Sequence, residues 1–168
     1  MNTISLLESY GITSVYHFTD KSNLENIEKY GIQSLKNLKI NNIQSTYGAN
    51  ELSHNLDRQK GLDRFVHLSF VKDHPMYHSA KKRGNLITPV WIELDISILL
   101  NDKTFFSDKV ANSYGAKIFK IDDILKYIDI QNLFNYNDFL LGKETRKAEI
   151  MVNNYIPTNK ILGVSYGK

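Results

Sequence analysis

The sequence predicts a single α+β domain, residues 1–168, built on mainly antiparallel strands with helices at their flanks. Three observations lead there. Runs of β-branched and aromatic residues occur toward both ends of the chain, at 15–19, 65–70, 90–96, 148–152 and 161–166. Helical spacing of apolar residues is confined to shorter stretches between them. No internal repeat, low-complexity tract or interdomain linker divides the chain, which argues against a doubly wound parallel sheet. At 168 residues there is material for one hydrophobic core but not for two.

Taken in order, Ser14-Val15-Tyr16-His17-Phe18-Thr19 suits a pleated strand, and Asp20, Lys21 and Ser22 form the turn that ends it. Ser22 or Asn23 is placed to cap a helix carrying Leu24, Ile27 and Tyr30. Gly31 follows where a left-handed residue is wanted. From Gln33 to Arg64 the chain is polar, punctuated by Gly48 and Gly61, and shows no sustained period, so it reads as a long functional loop. Phe65–Phe70 then forms a strand, Pro75 opens a helix over 75–82, and 90–96 returns as a strand. Ile121, Ile124, Leu125 and Ile128 mark a helix opened by Asp122 and Asp123. Residues 133–141 suggest another, ending at Gly142. Strands at 148–152 and 161–166 close the chain.

Composition narrows the chemistry. The apolar share of 42% and charged share of 23% are those of a packed globular protein. Without cysteine there is no disulfide, thiolate metal site or cysteine nucleophile, as suits a reducing, cytoplasmic setting. No stretch reaches the roughly 18 apolar residues that span a bilayer, so no membrane association is expected. The net charge of +3 permits a polyanionic partner without requiring one. The five histidines lack the paired spacing and neighbouring acid of a helical zinc site, since Pro75 separates His74 from His78, and no metal is expected. Walker, dinucleotide-fingerprint and serine-elbow glycine patterns are missing, which disfavours NTPase, dehydrogenase and serine hydrolase chemistry.

What remains is a dispersed constellation. Glu149 shares one strand face with Met151, while Ala148, Ile150 and Val152 share the other, so a carboxylate stands amid apolar residues. A solvent-facing edge position is the ordinary explanation for such a residue. His17 and Thr19 lie two apart on one strand face and can together hold a ribose or an amide, although an isolated histidine is more often structural. Arg58 belongs to the long polar segment, where a surface arginine is the default.

In combination these residues resemble the DarT family of DNA ADP-ribosyltransferase toxins. The likeness runs from Tyr16-His17-Phe18-Thr19, Asn23-Leu24 and Gly31 through 65–70 and Pro75-Met76 to Phe105–Asn112. It ends in Arg146-Lys147-Ala148-Glu149-Ile150-Met151-Val152, with Lys147 where the family has Gln. The resemblance implies two packed, mainly antiparallel sheets forming an NAD+ cleft. It implies NAD+ as ADP-ribose donor, with His17, Thr19, Asn23 and Arg58 as its contacts and Glu149 as catalytic glutamate. It further implies single-stranded DNA as acceptor, met by Tyr47, Lys143 and Arg146, and a macrodomain antitoxin of the DarG kind as partner to a monomeric toxin. Cleaving the nicotinamide bond develops positive charge at ribose C1′, which a carboxylate stabilises. The acceptor base must also lose a proton. Both Glu149 and Arg58 are candidates for that role, arginine being an unusual base because its guanidinium stays protonated. A relative acting on RNA or protein, and a catalytically idle NAD+- or nucleic-acid-binding module, are the alternatives.

Overall fold

The computed structural model describes residues 2–48 and 51–167, so Ala49 and Asn50 in the polar segment lie outside the described residues. Among the described residues nine strands carry the fold: β1 (Ser14–Asp20), β2 (Ile32–Gln33), β3 (Phe65–Ser69), β4 (Pro89–Asp95), β5 (Thr104–Ser107), β6 (Ile118–Phe119), β7 (Glu149–Asn153), β8 (Tyr155–Ile156) and β9 (Ile161–Tyr166). Seven form one sheet in the order β6-β5-β7-β3-β1-β4-β9, and β2 pairs with β8 in a second. Every pairing is antiparallel. The five strands expected from residue pattern are present within a residue or two. The short strands β2, β5, β6 and β8 offer too few residues for a period to be read.

Alternation places Val15, Val66, Leu68, Ile92, Leu94, Ile150 and Val152 in the principal core. The opposite face of β1 and β4 packs Tyr16, Phe18 and Trp91 with Tyr77 in a smaller aromatic cluster. The sheet is not continuous in register. β1 pairs with β4 along its whole length, yet it meets β3 only at Tyr16↔Ser69. Beyond that pair the two strands part, and the parting is the structural origin of the cleft.

The helices are α1 (Thr3–Ser9), α2 (Leu24–Tyr30), α3 (Leu35–Ile40), α4 (Glu51–Gln59), α5 (Pro75–Lys82), α6 (Ile124–Tyr127) and α7 (Phe139–Thr145). Three expectations need correction. The polar segment 33–64 is no loop, because it folds as β2, α3, α4 and a 3-10 turn at Leu62–Arg64. Of its helices α3 buries no residue fully and so carries no strong apolar stripe. Asn23 does not cap α2 with its side chain, which is spent elsewhere; Asp20 caps the preceding 3-10 turn by accepting from Ser22 N. The last helix is displaced from 133–141 to Phe139–Thr145, capped by Asp138, with Gly142 inside it. A Cβ on Gly142 would overlap the Arg146 guanidinium and the Asn135 carbonyl, so this glycine makes room rather than ending the helix. Among the described residues no helix is long and apolar enough to cross a membrane.

Gly31 ends α2 with φ 76° and gives its N–H to Ile27 O at 2.8 Å. A side chain there would overlap the Ile156 carbonyl oxygen of β8. Gly31→Ala is expected to destabilise by roughly 2 kcal/mol, through backbone strain and overpacking together. Thermal melting should register this as a fall in Tm of about 4–8 °C.

Candidate active site

A cavity of about 200 Å3 opens at the parting of β1 and β3. Its wall takes consecutive residues from each strand, His17, Phe18 and Thr19 from β1 and Phe65, Val66 and His67 from β3. An intact sheet could not lend them all to one cavity, since successive side chains point to opposite faces. Where the backbone ladder fails, a side chain bridges it: His17 Nδ1 donates to the His67 carbonyl at 3.0 Å. Burial, opposed by that hydrogen bond, lowers the His17 pKa. The imidazole is therefore neutral, with Nε2 left as an acceptor.

Glu149 enters from the neighbouring strand. Register pairs it with Ser69, which makes His67 its diagonal neighbour on the same face of β3 and β7. The residue is only 6% exposed, so its carboxylate needs partners. Oε2 accepts from His67 Nδ1 at 3.3 Å and from the backbone N–H of Ala111 at 3.0 Å. Burial alone would raise the Glu149 pKa, but the hydrogen bond and charge of His67, with the charge of His74 and the Ala111 amide, bring it below the ordinary glutamate value. Burial would likewise lower His67, yet the hydrogen bond and charge of Glu149 outweigh it and carry His67 to about 9. The second nitrogen of His67 donates to Leu62 O at 3.0 Å, completing an imidazolium with both N–H groups satisfied.

Oε1 of Glu149 accepts no hydrogen bond from any described residue and lies 3.7 Å from His74 Nε2. His74, almost wholly buried, caps α5 by accepting from Met76 N at 3.2 Å. Its other nitrogen donates to Lys147 O at 3.3 Å. The helix start is thus locked to the residues just before Glu149.

Thr19 and Asn23 build the opposite wall. The Asn23 amide donates to Thr19 Oγ1 and to Thr46 O, both at 2.8 Å, and its oxygen accepts from Thr46 N at 2.8 Å. One buried side chain so pairs with a loop as a strand would, fixing Ser45 and Thr46 on the rim. Thr19 keeps its own O–H to donate.

The structure brings His17, Thr19 and Glu149, distant in sequence, onto one cavity, together with Tyr47, whose ring meets His54 edge-on. Asn23 stands behind that wall, lining an adjoining smaller hollow. Arg58 is not on the cavity wall; it is exposed, with its guanidinium on Asn55 Oδ1. Its neighbour Asp57 lines the cavity instead. Arg146 differs from expectation as well. It is 5% exposed and committed to Leu133 O, Asn135 O, Asp73 and the Tyr136 ring, so it holds the segment before α7 rather than offering a charge to a ligand. Lys143 is exposed on α7. The sequence pattern weighs His67 and His74 only as metal ligands and does not single out Asp57; His67 alone carries a signal, its place two residues from Ser69 on a predicted strand.

The family model described as "ssDNA thymidine ADP-ribosyltransferase, DarT" matches residues 16–167. The chain belongs to this family. No curated protein sequence matches it. Among solved structures, this DarT-family chain is similar to the Thermus sp. 2.9 DarT in complex with ADP-ribosylated ssDNA, with a TM-score of 0.73 and 16% identity over 94% of this chain and 83% of that one. The same protein in complex with NAD+ gives a TM-score of 0.66 at 16% identity, with the same coverage of both chains. Thermosipho africanus DarTG in complex with ADP-ribose gives 0.72 at 18% identity over 93% of this chain. The present chain spans 44% of that DarTG chain. At these identities the likeness establishes the fold.

The Glu149–His67 pair makes stability pH-dependent in a defined sense. A histidine whose pKa rises from 6.5 to about 9 on folding contributes stability that is fully present below pH 6.5 and is lost as the pH climbs through about 9. Urea unfolding of the wild type should therefore weaken across that interval. His67→Gln, uncharged throughout, should remove this part of the pH dependence.

Proposed function

We propose that this chain transfers ADP-ribose from NAD+ to a thymine base of single-stranded DNA, with Glu149 as the catalytic carboxylate. The observation that carries the reading is a buried, ionised glutamate with one oxygen unclaimed, facing a cavity shared with His17 and Thr19. The cavity is smaller than the ~300–1,000 Å3 of a typical whole-ligand pocket, so it suits the nicotinamide riboside end of the donor. His17 Nε2 as acceptor and the Thr19 hydroxyl as donor complement a carboxamide or ribose there. Asn23 contributes by holding Thr19 and the Ser45–Thr46 rim in place. The described wall holds no lysine or arginine, which assigns the diphosphate to the mouth. Lys39 and Arg58, whose charges help lower the His54 pKa after burial, are near enough to that mouth to meet it.

As the bond to nicotinamide lengthens, positive charge builds on C1′ and the ribose oxygen. Glu149 Oε1 is available to bind a ribose hydroxyl, and its negative charge stabilises the developing cation more than it stabilises the ground state. His67 and the Ala111 amide keep the carboxylate ionised and still, so no reorganisation is needed during the reaction.

For the acceptor strand, Tyr47 at the rim offers a stacking ring and Lys143 a phosphate contact. Phe134 and Tyr136 on the segment that Arg146 braces, with Leu140 and Leu141 on α7, are all exposed, a surface suited to unstacked bases. A single-domain monomer acting in the cytoplasm, where donor and single-stranded DNA coexist, completes the reading. A DarG-type macrodomain antitoxin is its proposed partner, in line with the DarTG relative.

Glu149→Gln keeps the side chain's size and removes its charge. Transfer of labelled ADP-ribose to single-stranded DNA should fall by on the order of 10² or more, while NAD+ binding changes far less. Parallel incubations with RNA and protein identify the acceptor class. A folded variant with near-normal transfer would overturn the role of Glu149.

A further inference from the structure

A second carboxylate lies in the same cavity under opposite conditions. Asp57, on α4, lines the wall with Glu149 and is partly buried. Its Oδ1 accepts from Asn112 Nδ2 at 3.1 Å, and its other oxygen accepts no hydrogen bond from any described residue. Asn112 is itself anchored, by Ser53 Oγ at 2.9 Å and by Lys60 Nζ, which donates to its carbonyl at 2.8 Å. The residue before it, Ala111, gives its N–H to Glu149. Two consecutive residues thus hold two carboxylates at one cavity, each with an oxygen to spare.

We propose that Asp57, and not Arg58, is the catalytic base that takes the proton from the acceptor thymine. The proposal rests on the transferase reading above and deepens it. In a thymine nucleotide, N3 is the only ring nitrogen bearing an exchangeable proton. The bond between the nicotinamide nitrogen and C1′ breaks, and its electron pair returns to the ring, which leaves as neutral nicotinamide. The N3–H bond breaks toward the free oxygen of Asp57, and the pair it leaves on N3 forms the new bond to C1′. Asp57 afterwards releases that proton to water. The products are nicotinamide, ADP-ribosyl-thymine and one proton, so atoms and charge balance.

Electrostatics divides the two acids in the direction this requires. Burial, reinforced by the charges of Glu149 on β7 and Asp63 on the 3-10 turn, raises Asp57. His67 on β3 and the Asn112 amide oppose that only in part. Glu149 is held below its ordinary value, a charge that stays put. A pair of acids pushed apart by their surroundings is the arrangement in which one moves protons and the other stabilises charge. Arg58 has neither the position nor the lone pair for the task.

The test uses the full chain, labelled NAD+ and a thymine-containing single-stranded oligonucleotide, from neutral pH up to the ionisation of thymine itself. Asp57→Asn preserves the acceptor oxygen for Asn112, and melting curves check its folding. Asp57→Ser is the second carboxylate-free variant should the amide fit poorly. Either should lower transfer at neutral pH by on the order of 10²–10⁴ with NAD+ binding nearly unchanged. The residual rate should then climb with pH in proportion to the thymine anion, which needs no base, while the wild-type rate levels off once Asp57 is ionised. Asp57→Glu should recover part of the activity. Near-normal transfer by a folded Asp57→Asn, or a loss equal at every pH, overturns the assignment and leaves the transferase reading standing. Wild-type protein that modifies no thymine in single-stranded DNA overturns the reading itself.

Discussion

The organisation of this molecule depends on an ionised carboxylate taken out of water. A buried glutamate is tolerated only when paired and hydrogen-bonded, and the first residue of β7 is served from three directions. His67 reaches it diagonally across the strand pair, the Ala111 amide arrives after β5, and His74 approaches from the cap of α5. Each contact ties a different element to one atom group. Satisfying Glu149 therefore also sets the register of β3 against β7 and the position of the 110–112 segment. It also fixes where α5 begins.

The second constraint is a sheet asked to do two things. It is continuous enough to cover a core, yet open enough to leave a cavity. The fold meets both by keeping β1 and β3 joined at Tyr16↔Ser69 and letting them separate beyond it. The cost of an incomplete ladder is reduced by His17, whose ring replaces one backbone donor. Asn23 performs the same office on the other side, pairing with both backbone groups of Thr46. Side chains standing in for strands leave a cavity whose wall is part polar and part apolar.

Much of this was legible in residue order. The β-branched and aromatic runs located five of the nine strands, because a pleated, half-buried surface selects those residues wherever it forms. The alternation at 148–152 told which face Glu149 would share, and the spacing of His17 and Thr19 told that they would lie on one strand face; both line the cavity. The segment 33–64 was less legible, because α3, which lines the cavity, buries no residue fully and so lacks the stripe by which helices are recognised. Gly142 misled for a related reason: a glycine that ends a helix and one that admits an arginine look the same in sequence. Arg146, read as a charge for a ligand, is consumed by carbonyl groups that only folding brings near.

The sequence by itself determined the α+β class, the strands that border the cavity, and the carboxylate, imidazole and hydroxyl that line it. These are local properties, written in residue type and in a period of two. Tertiary structure alone decided which of two neighbouring residues, Asp57 or Arg58, faces the cavity, since that depends on what α4 packs against. It also decided that His67 would be charged and His17 neutral. That difference comes from Glu149, which touches one ring and not the other, and the chain places it more than a hundred residues from His17.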